Sequence, residues 1–220
     1  KVATVDAAGV VKALKPGKVK ITVYAGSKKK TYSIAVAQIV APAVVPVISG
    51  TLTVDQMLTV DPGVWGPGVV TLSYQWYRGS KAIAGATGAT YVLDAADAGK
   101  TVKVKVTGTK PGYNTVSKTS KATKKIAKAV FSASPVPLVS GTPTVGQVLT
   151  ADAGVWTPVP DKFTYQWYRS GKAISKATGS TYLLVAADAG KEISVKVTAS
   201  KAGYNTVSLT SAKTAPVAAA

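Results

Sequence analysis

The chain has 220 residues, 46% of them hydrophobic, and carries 27 Lys and Arg against 9 Asp and Glu for a net charge of +18. It contains no Cys and no His, which excludes disulfides, thiolate chemistry and imidazole metal ligands. No apolar run reaches the roughly 20 residues of a membrane-spanning helix, and no loop has the carboxylate density of a calcium site.

Much of the hydrophobic fraction is Ala and Val, with 2 Phe and 1 Met, while 20 Gly and 12 Pro punctuate the chain into short segments. Val and Thr suit the pleated, half-buried surface of a strand. This profile predicts an all-β protein with many turns.

In chain order, the first predicted elements lie in Val2–Gln38, "VATVDAAGVVKALKPGKVKITVYAGSKKKTYSIAVAQ". A Val-Ala-Thr-Val strand runs into a Gly turn, then Ala-Leu-Lys-Pro-Gly, then a Lys-Ile-Thr-Val strand and a last strand. This stretch resembles the second half of a bacterial Ig-like group 2 domain. The resemblance implies that a front half of about three strands precedes it, because half a sandwich leaves an open face and unpaired edges. The natural protein is therefore expected to continue upstream.

Next come strands at Val45–Thr51, Gln56–Asp61, Tyr74–Arg78, Thr90–Leu93, Val102–Thr107 and Thr115–Ala122. The pattern then starts again. Residues 46–120 align with 137–211 without a gap, 47 of the 75 positions being identical. The offset is 91 residues, so the repeating unit is a whole domain and not a solenoid turn. Val102, Val104 and Val106 alternate with Lys103, Lys105 and Thr107, as Ile193, Val195 and Val197 do with Ser194, Lys196 and Thr198. Period two with one apolar face marks a strand of a half-solvated antiparallel sheet. About seven short strands per 90 residues predict tandem immunoglobulin-like β-sandwiches. The division read from the sequence is 1–40 for a partial group 2 module, 41–128 for repeat one and 129–220 for repeat two.

Residues 42–216 resemble the tandem Ig-like repeats of secreted and wall-associated actinobacterial proteins. The shared pattern is I-S-G-T, L-T-A, G-x-W, Y-Q-W-x-R, I-x-G-A-T, T-Y-x-L, A-D-x-G and V-x-V. Lys176 stands where that pattern has glycine, and Val60 where it has alanine. Thr101 and Lys103 occupy the places of the tyrosine and cysteine of antibody-type domains, so the likeness is to the architecture and not to the antibody family. The resemblance implies an extracellular, secreted or cell-wall-associated spacer or binding module.

The repeated "YQWYR", Tyr74–Arg78 and Tyr165–Arg169, has two readings. Alternation places Tyr74, Trp76 and Arg78 on one face and Gln75 and Tyr77 on the other. Trp76 and Trp167 then belong to the core, as in the corresponding strand of such sandwiches. Tyr77 and Tyr168 point outward and are the candidate surface-binding residues, a stacking platform for sugar rings. Trp65 and Trp156, each after Gly-Val near a Pro-rich turn, either join that platform or pack inward.

The remaining polar residues carry no catalytic pattern. Asp97 and Asp188 read as turn or cap residues, and Asp94 is Val185 in the second copy. Without His or Cys, acid–base or nucleophilic chemistry would rest on scattered Asp, Glu192, Ser and Lys at no productive spacing. Asn114 and Asn205, the only asparagines, sit in loops after Gly-Tyr, a poor setting for a Lys–Asn cross-link. No cofactor, metal or enzyme activity is expected.

The positive charge is almost all Lys, Arg78 and Arg169 being the only arginines. Lysine is a solvated point charge, whereas forked recognition of phosphate or guanine uses arginine. The surface thus suits polyanions without reading a nucleic-acid sequence. "KTSKATKKIAK" (118–128) reads as a solvated strand end and linker. Two functions fit. One is a non-catalytic stalk or spacer and surface-interaction module of a larger secreted or wall-associated protein. The other is a carbohydrate-binding accessory region of a secreted glycoside hydrolase. Anionic cell-wall polymers or polysaccharide, and neighbouring domains of the same parent protein, are the partner classes that suit them.

Overall fold

The computed structural model describes residues 1–38, 40–42 and 44–220. The boundary read at 40/41 borders Ile39 and Ala43, which lie outside the described residues. The backbone divides into two compact units. One comprises 1–51, 57–91 and 101–124, the other 52–56, 92–100 and 125–220. Segments 52–56, 92–100 and 125–128 of the first copy thus group with the second copy.

In the first unit, β1 (Ala3–Val5) pairs with β2 (Val11–Ala13), and β3 (Gly17–Ala25) with β4 (Lys28–Val36). The register Val19↔Ile34 and Ile21↔Tyr32 collects the apolar residues of β3 and β4 on one face. Lys18, Lys20 and Tyr24, paired with Ala35, Ser33 and Lys29, take the other. A two-residue strand β5 (Ala41–Pro42) pairs with β8 (Trp65–Gly66).

The first copy then supplies β6 (Val47–Gly50), β7 (Met57–Asp61), β9 (Thr71–Arg78), β10 (Lys81–Ala82), β11 (Thr90–Val92), β12 (Val102–Thr109) and β13 (Val116–Thr119). Their order is β11-β7-β6 in one sheet and β10-β9-β12-β13 in the other. Leu58, Val60, Trp76, Val102, Val104 and Val106 are buried.

The second copy, in the second unit, repeats this with β14 (Leu138–Ser140), β15 (Val148–Asp152), β16 (Lys162–Arg169), β17 (Lys172–Ala173), β18 (Thr181–Leu183), β19 (Ile193–Ser200) and β20 (Val207–Thr210). The sheets are β14-β15-β18 and β17-β16-β19-β20. Leu149 and Ala151 from one sheet meet Trp167, Ile193, Val195 and Val197 from the other in a single core closed by Leu184 and Val217. Two sheets of three and four antiparallel strands sharing one core are an immunoglobulin-like β-sandwich. The protein is all-β, with tandem sandwiches of this kind.

Alternation accounts for the burial. In β12 the order is Val102 in, Lys103 out, Val104 in, Lys105 out and Val106 in. In β19 the only break is Ser194, buried opposite Tyr168. The core bond partners also repeat. Val104 N–H donates to Ser120 Oγ at 3.0 Å and Val195 N–H to Ser211 Oγ at 3.0 Å. Among the described residues, no buried side-chain nitrogen or oxygen lacks a partner, as a native core requires.

Candidate functional site

Strands β9 and β16 position the YQWYR side chains. Trp76 and Trp167 are fully buried. Each indole N–H donates at 2.9 Å to a backbone carbonyl twelve residues on, that of Gly88 or Gly179. Each ring lies against a tyrosine of the facing sheet, Tyr91 at 5.5 Å and Tyr182 at 5.7 Å between centroids. These tryptophans are core residues, with the one polar atom satisfied.

Tyr77 and Tyr168 lie on the outward face and are half-buried. A lysine ammonium stands over each ring, Lys103 Nζ at 5.9 Å from the Tyr77 centroid and Lys196 Nζ at 5.9 Å from that of Tyr168. Lys103 comes from directly opposite Tyr77, while Lys196 lies opposite Gln166 and reaches its ring diagonally. Both contacts lie within cation–π range. The same face carries Gln75, Lys105, and Thr107 bonded to Ser117 at 2.8 Å. In copy two it carries Gln166, and Thr198 bonded to Ser208 at 2.7 Å. The result is a flat surface of tyrosine, ammonium and hydroxyl groups. Each lysine lies over its ring, so a sugar ring could stack on either tyrosine only after the lysine moved.

The Gly-Val-Trp tryptophans do not join this surface. Trp156 is buried, its N–H donates to Ala153 at 2.8 Å, and its ring packs edge-on against Phe131 at 5.2 Å and Phe163 at 5.8 Å. Trp65 is buried likewise, donating to Pro62 at 2.9 Å. Phe131 lies in the segment that enters copy two, so Trp156 serves as a clamp on the incoming chain.

That segment is less solvated than its lysines suggest. Lys118, Lys121, Lys124, Lys125 and Lys128 are exposed, but Ile126, Ala129 and Phe131 are buried. Ala129 N–H donates to Gly203 and Asn205 N–H donates to Ala129, both at 2.9 Å. Tyr204, between those two residues, rests its ring on Phe131 at 5.3 Å and donates its hydroxyl to the Asp55 carboxylate. That hydrogen bond holds the Tyr204 phenol above its ordinary pKa, with burial adding to the effect.

An ion pair between a partly exposed arginine and a buried carboxylate is not visible in the sequence. Asp188 is fully buried and does cap the short 3-10 turn at Ala186–Asp188, accepting from Val185 N–H at 2.8 Å. It also accepts from Arg169 Nε at 2.6 Å and Tyr182 hydroxyl at 2.9 Å. Burial, then the bond to Asp188, raises the Tyr182 phenol, and the same carboxylate raises the Arg169 guanidinium. Asp97 is equally buried and accepts from Asp94 N–H at 2.9 Å. The available signal was the placement of both arginines at the inner-face end of a repeated strand, where an unpaired charge is costly. Among the described residues no group of His, Cys, Asp or Glu could hold a metal ion. No helix among them is long and apolar enough to cross a membrane.

Sheet order and shared core define a protein built of Ig-like β-sandwich modules. Residues 1–35 match the family of bacterial Ig-like domains (group 2). No curated protein matches the chain. Among solved structures, the tandem Ig repeats of Dlar are similar at 12% identity, over 77% of this chain and 95% of that one, with a TM-score of 0.24. The chicken CNTN1 FN1–FN3 domains are similar at 11% identity, over 91% and 80%, with a TM-score of 0.22.

Proposed function

We propose that the chain is a non-catalytic stalk and surface-interaction segment of a larger secreted or wall-associated bacterial protein, of actinobacterial type. Its modules are 1–40, the C-terminal half of a group 2 domain, then 41–128 and 129–220. The observation that carries this reading is the entry segment of copy two. Ile126, Ala129 and Phe131 are buried, Ile126 and Ala129 are hydrogen-bonded through their N–H groups, and Phe131 packs on Trp156 and Tyr204, which supports a folded joint over a loose tether. A spacer needs joints of this kind to hold another domain at a distance. Amide hydrogen exchange checks it: Ala129 and Asn205 should exchange as slowly as the strands of copy two. Exchange as fast as in an unfolded peptide would remove the spacer reading.

The second reading, a carbohydrate-binding accessory region of a secreted glycoside hydrolase, is favoured by Tyr77 and Tyr168, outward and partly open on acid-free strand faces. The partner classes are polysaccharide and anionic wall polymers. Retention on insoluble polysaccharide and on wall material, with Tyr77→Ala and Tyr168→Ala and across a salt series, separates the readings. Tyrosine-dependent, salt-resistant retention supports a sugar module. Retention lost in salt and indifferent to the tyrosines supports charge-driven adhesion by a stalk.

A further inference from the structure

The two copies differ in what covers one end of each sandwich. At that end of copy one, within the second unit, stand Val54, Asp55 and Ala95. The tip of the Gly203-Tyr204-Asn205 loop is seated on them. A Cβ added to Gly203 would lie 2.8 Å from Ala95 Cα and 3.0 Å from Val54 Cγ1, so glycine is required by close approach as well as by its φ of +77°. Tyr204 is buried there and its hydroxyl meets the Asp55 carboxylate.

Ninety-one residues on, copy two presents Val145, Gly146 and Ala186. Val54 is 2% exposed, whereas Val145 is half-buried; Ala95 is half-buried, whereas Ala186 is exposed. The chain leaves the two copies by the same backbone bonds. Val54 N–H donates to Ala127 and Ala127 N–H to Leu52; Val145 N–H donates to Ala218 and Ala218 N–H to Pro143. Gly99 N–H donates to Ile126 as Gly190 N–H does to Val217. Copy two therefore has the seat and the exit path of copy one, with Val145 half-buried against the core and Ala186 exposed.

We propose that Val145, Gly146 and Ala186, beside the Val217–Ala218 exit, form a docking seat for a further Ig-like repeat of this class, which enters by a Gly-Tyr-Asn loop. The occupant follows from the seat already filled: the small glycine lets the tip approach Ala186 and Val145 as Gly203 approaches Ala95 and Val54. The seat on copy two lacks one contact, because Gly146 replaces Asp55 and leaves the incoming hydroxyl without its carboxylate. Docking there is accordingly looser. An aspartate fits at that position: Gly146 has φ +85° against +68° for Asp55, and nothing lies within 4 Å of an added Cβ.

The experiment extends the full chain, 1–219 followed by a second 129–220, which keeps the 91-residue spacing. Hydroxyl-radical labelling of Val145 is the readout, with Val54 as internal reference. The expected result is a drop of severalfold in Val145 labelling, to near the Val54 level, and a further drop with Gly146→Asp. Ala186→Trp should restore the labelling of the unextended chain. Labelling of Val145 that is unchanged by the extension, with and without Gly146→Asp, overturns the proposal. A second measurement needs no added repeat. Ala95→Trp in the native chain must raise Val54 labelling by unseating the Gly203 tip; if Val54 stays protected, the tip is not held by such a seat and the proposal falls.

Discussion

Residues 3–36 and the second sandwich obey the same alternation, yet only one of them has a dry interior. In the leading segment Val5, Val23 and Tyr32 are all close to half exposed or more. In the second sandwich Leu149, Trp167, Ile193, Val195 and Val197 are fully buried. Period-two patterning makes a strand and chooses its face, but burial needs a second sheet to close on that face. The hydrophobic contribution, roughly 25 cal/mol per Å² of apolar area removed from water, is collected only where that closure occurs.

Substitutions should therefore be severe in the closed sandwich and mild in the open segment. Trp167→Ala is expected to have the largest effect, about 3–5 kcal/mol in chemical denaturation, because it opens a cavity between the sheets. A comparable loss from Val23→Ser would break the comparison; the expectation for that exposed position is about 0.5 kcal/mol or less. Asp188→Asn comes next, at about 3 kcal/mol, since Arg169 and Tyr182 keep their positions while losing the carboxylate. Arg169 is partly solvated, which places the value at the low end of the range for broken buried pairs. Tyr204→Phe is smaller, about 1 kcal/mol, as it removes one hydrogen bond to an exposed carboxylate.

The raised phenols of Tyr182 and Tyr204 predict a pH signature in the second unit. A phenol whose folded pKa exceeds the ordinary value of 10.0 contributes fully below that pH and loses its contribution as pH rises through the folded value. Stability in alkali should fall from about pH 10 upward in the native chain. The fall should be shallower in Tyr204→Phe and Tyr182→Phe, as read by denaturant midpoints from pH 8 to 12. An unchanged profile in both variants would show that neither bond survives in solution. Smallest of all, Tyr77→Ala and Tyr168→Ala should leave thermal midpoints within about a degree or two, because both rings sit outside the core.

Most of the sandwich was legible because its determinants are local and periodic. The expected strand Gln56–Asp61 is Met57–Asp61, Thr90–Leu93 is Thr90–Val92, and Val45–Thr51 is Val47–Gly50. Trp76 and Trp167 are buried as alternation requires. What the sequence hid depends on contacts between distant residues. Arg169 and Asp188 are 19 positions apart, Tyr204 and Asp55 are 149 apart, and no periodicity links either pair. The lysines over Tyr77 and Tyr168 depend on strand register, opposite in one copy and diagonal in the other. Trp156 was ambiguous because its partner Phe131 has Val40 as its counterpart at the same offset, so repetition did not advertise the aromatic clamp.

The Ala129 bonds have a mechanical consequence. Tension on the chain entering copy two arrives at Ala129 and is passed sideways into Gly203 and Asn205. Strand β14, with three residues and a single neighbouring strand, is shielded from the first load. The Asn205 loop and the Trp156–Phe131 contact are therefore expected to yield before the edge strand is peeled. A pull on the chain entering copy two is expected to lengthen that segment by a few residues before the second sandwich opens, which single-molecule stretching would read as a short first step.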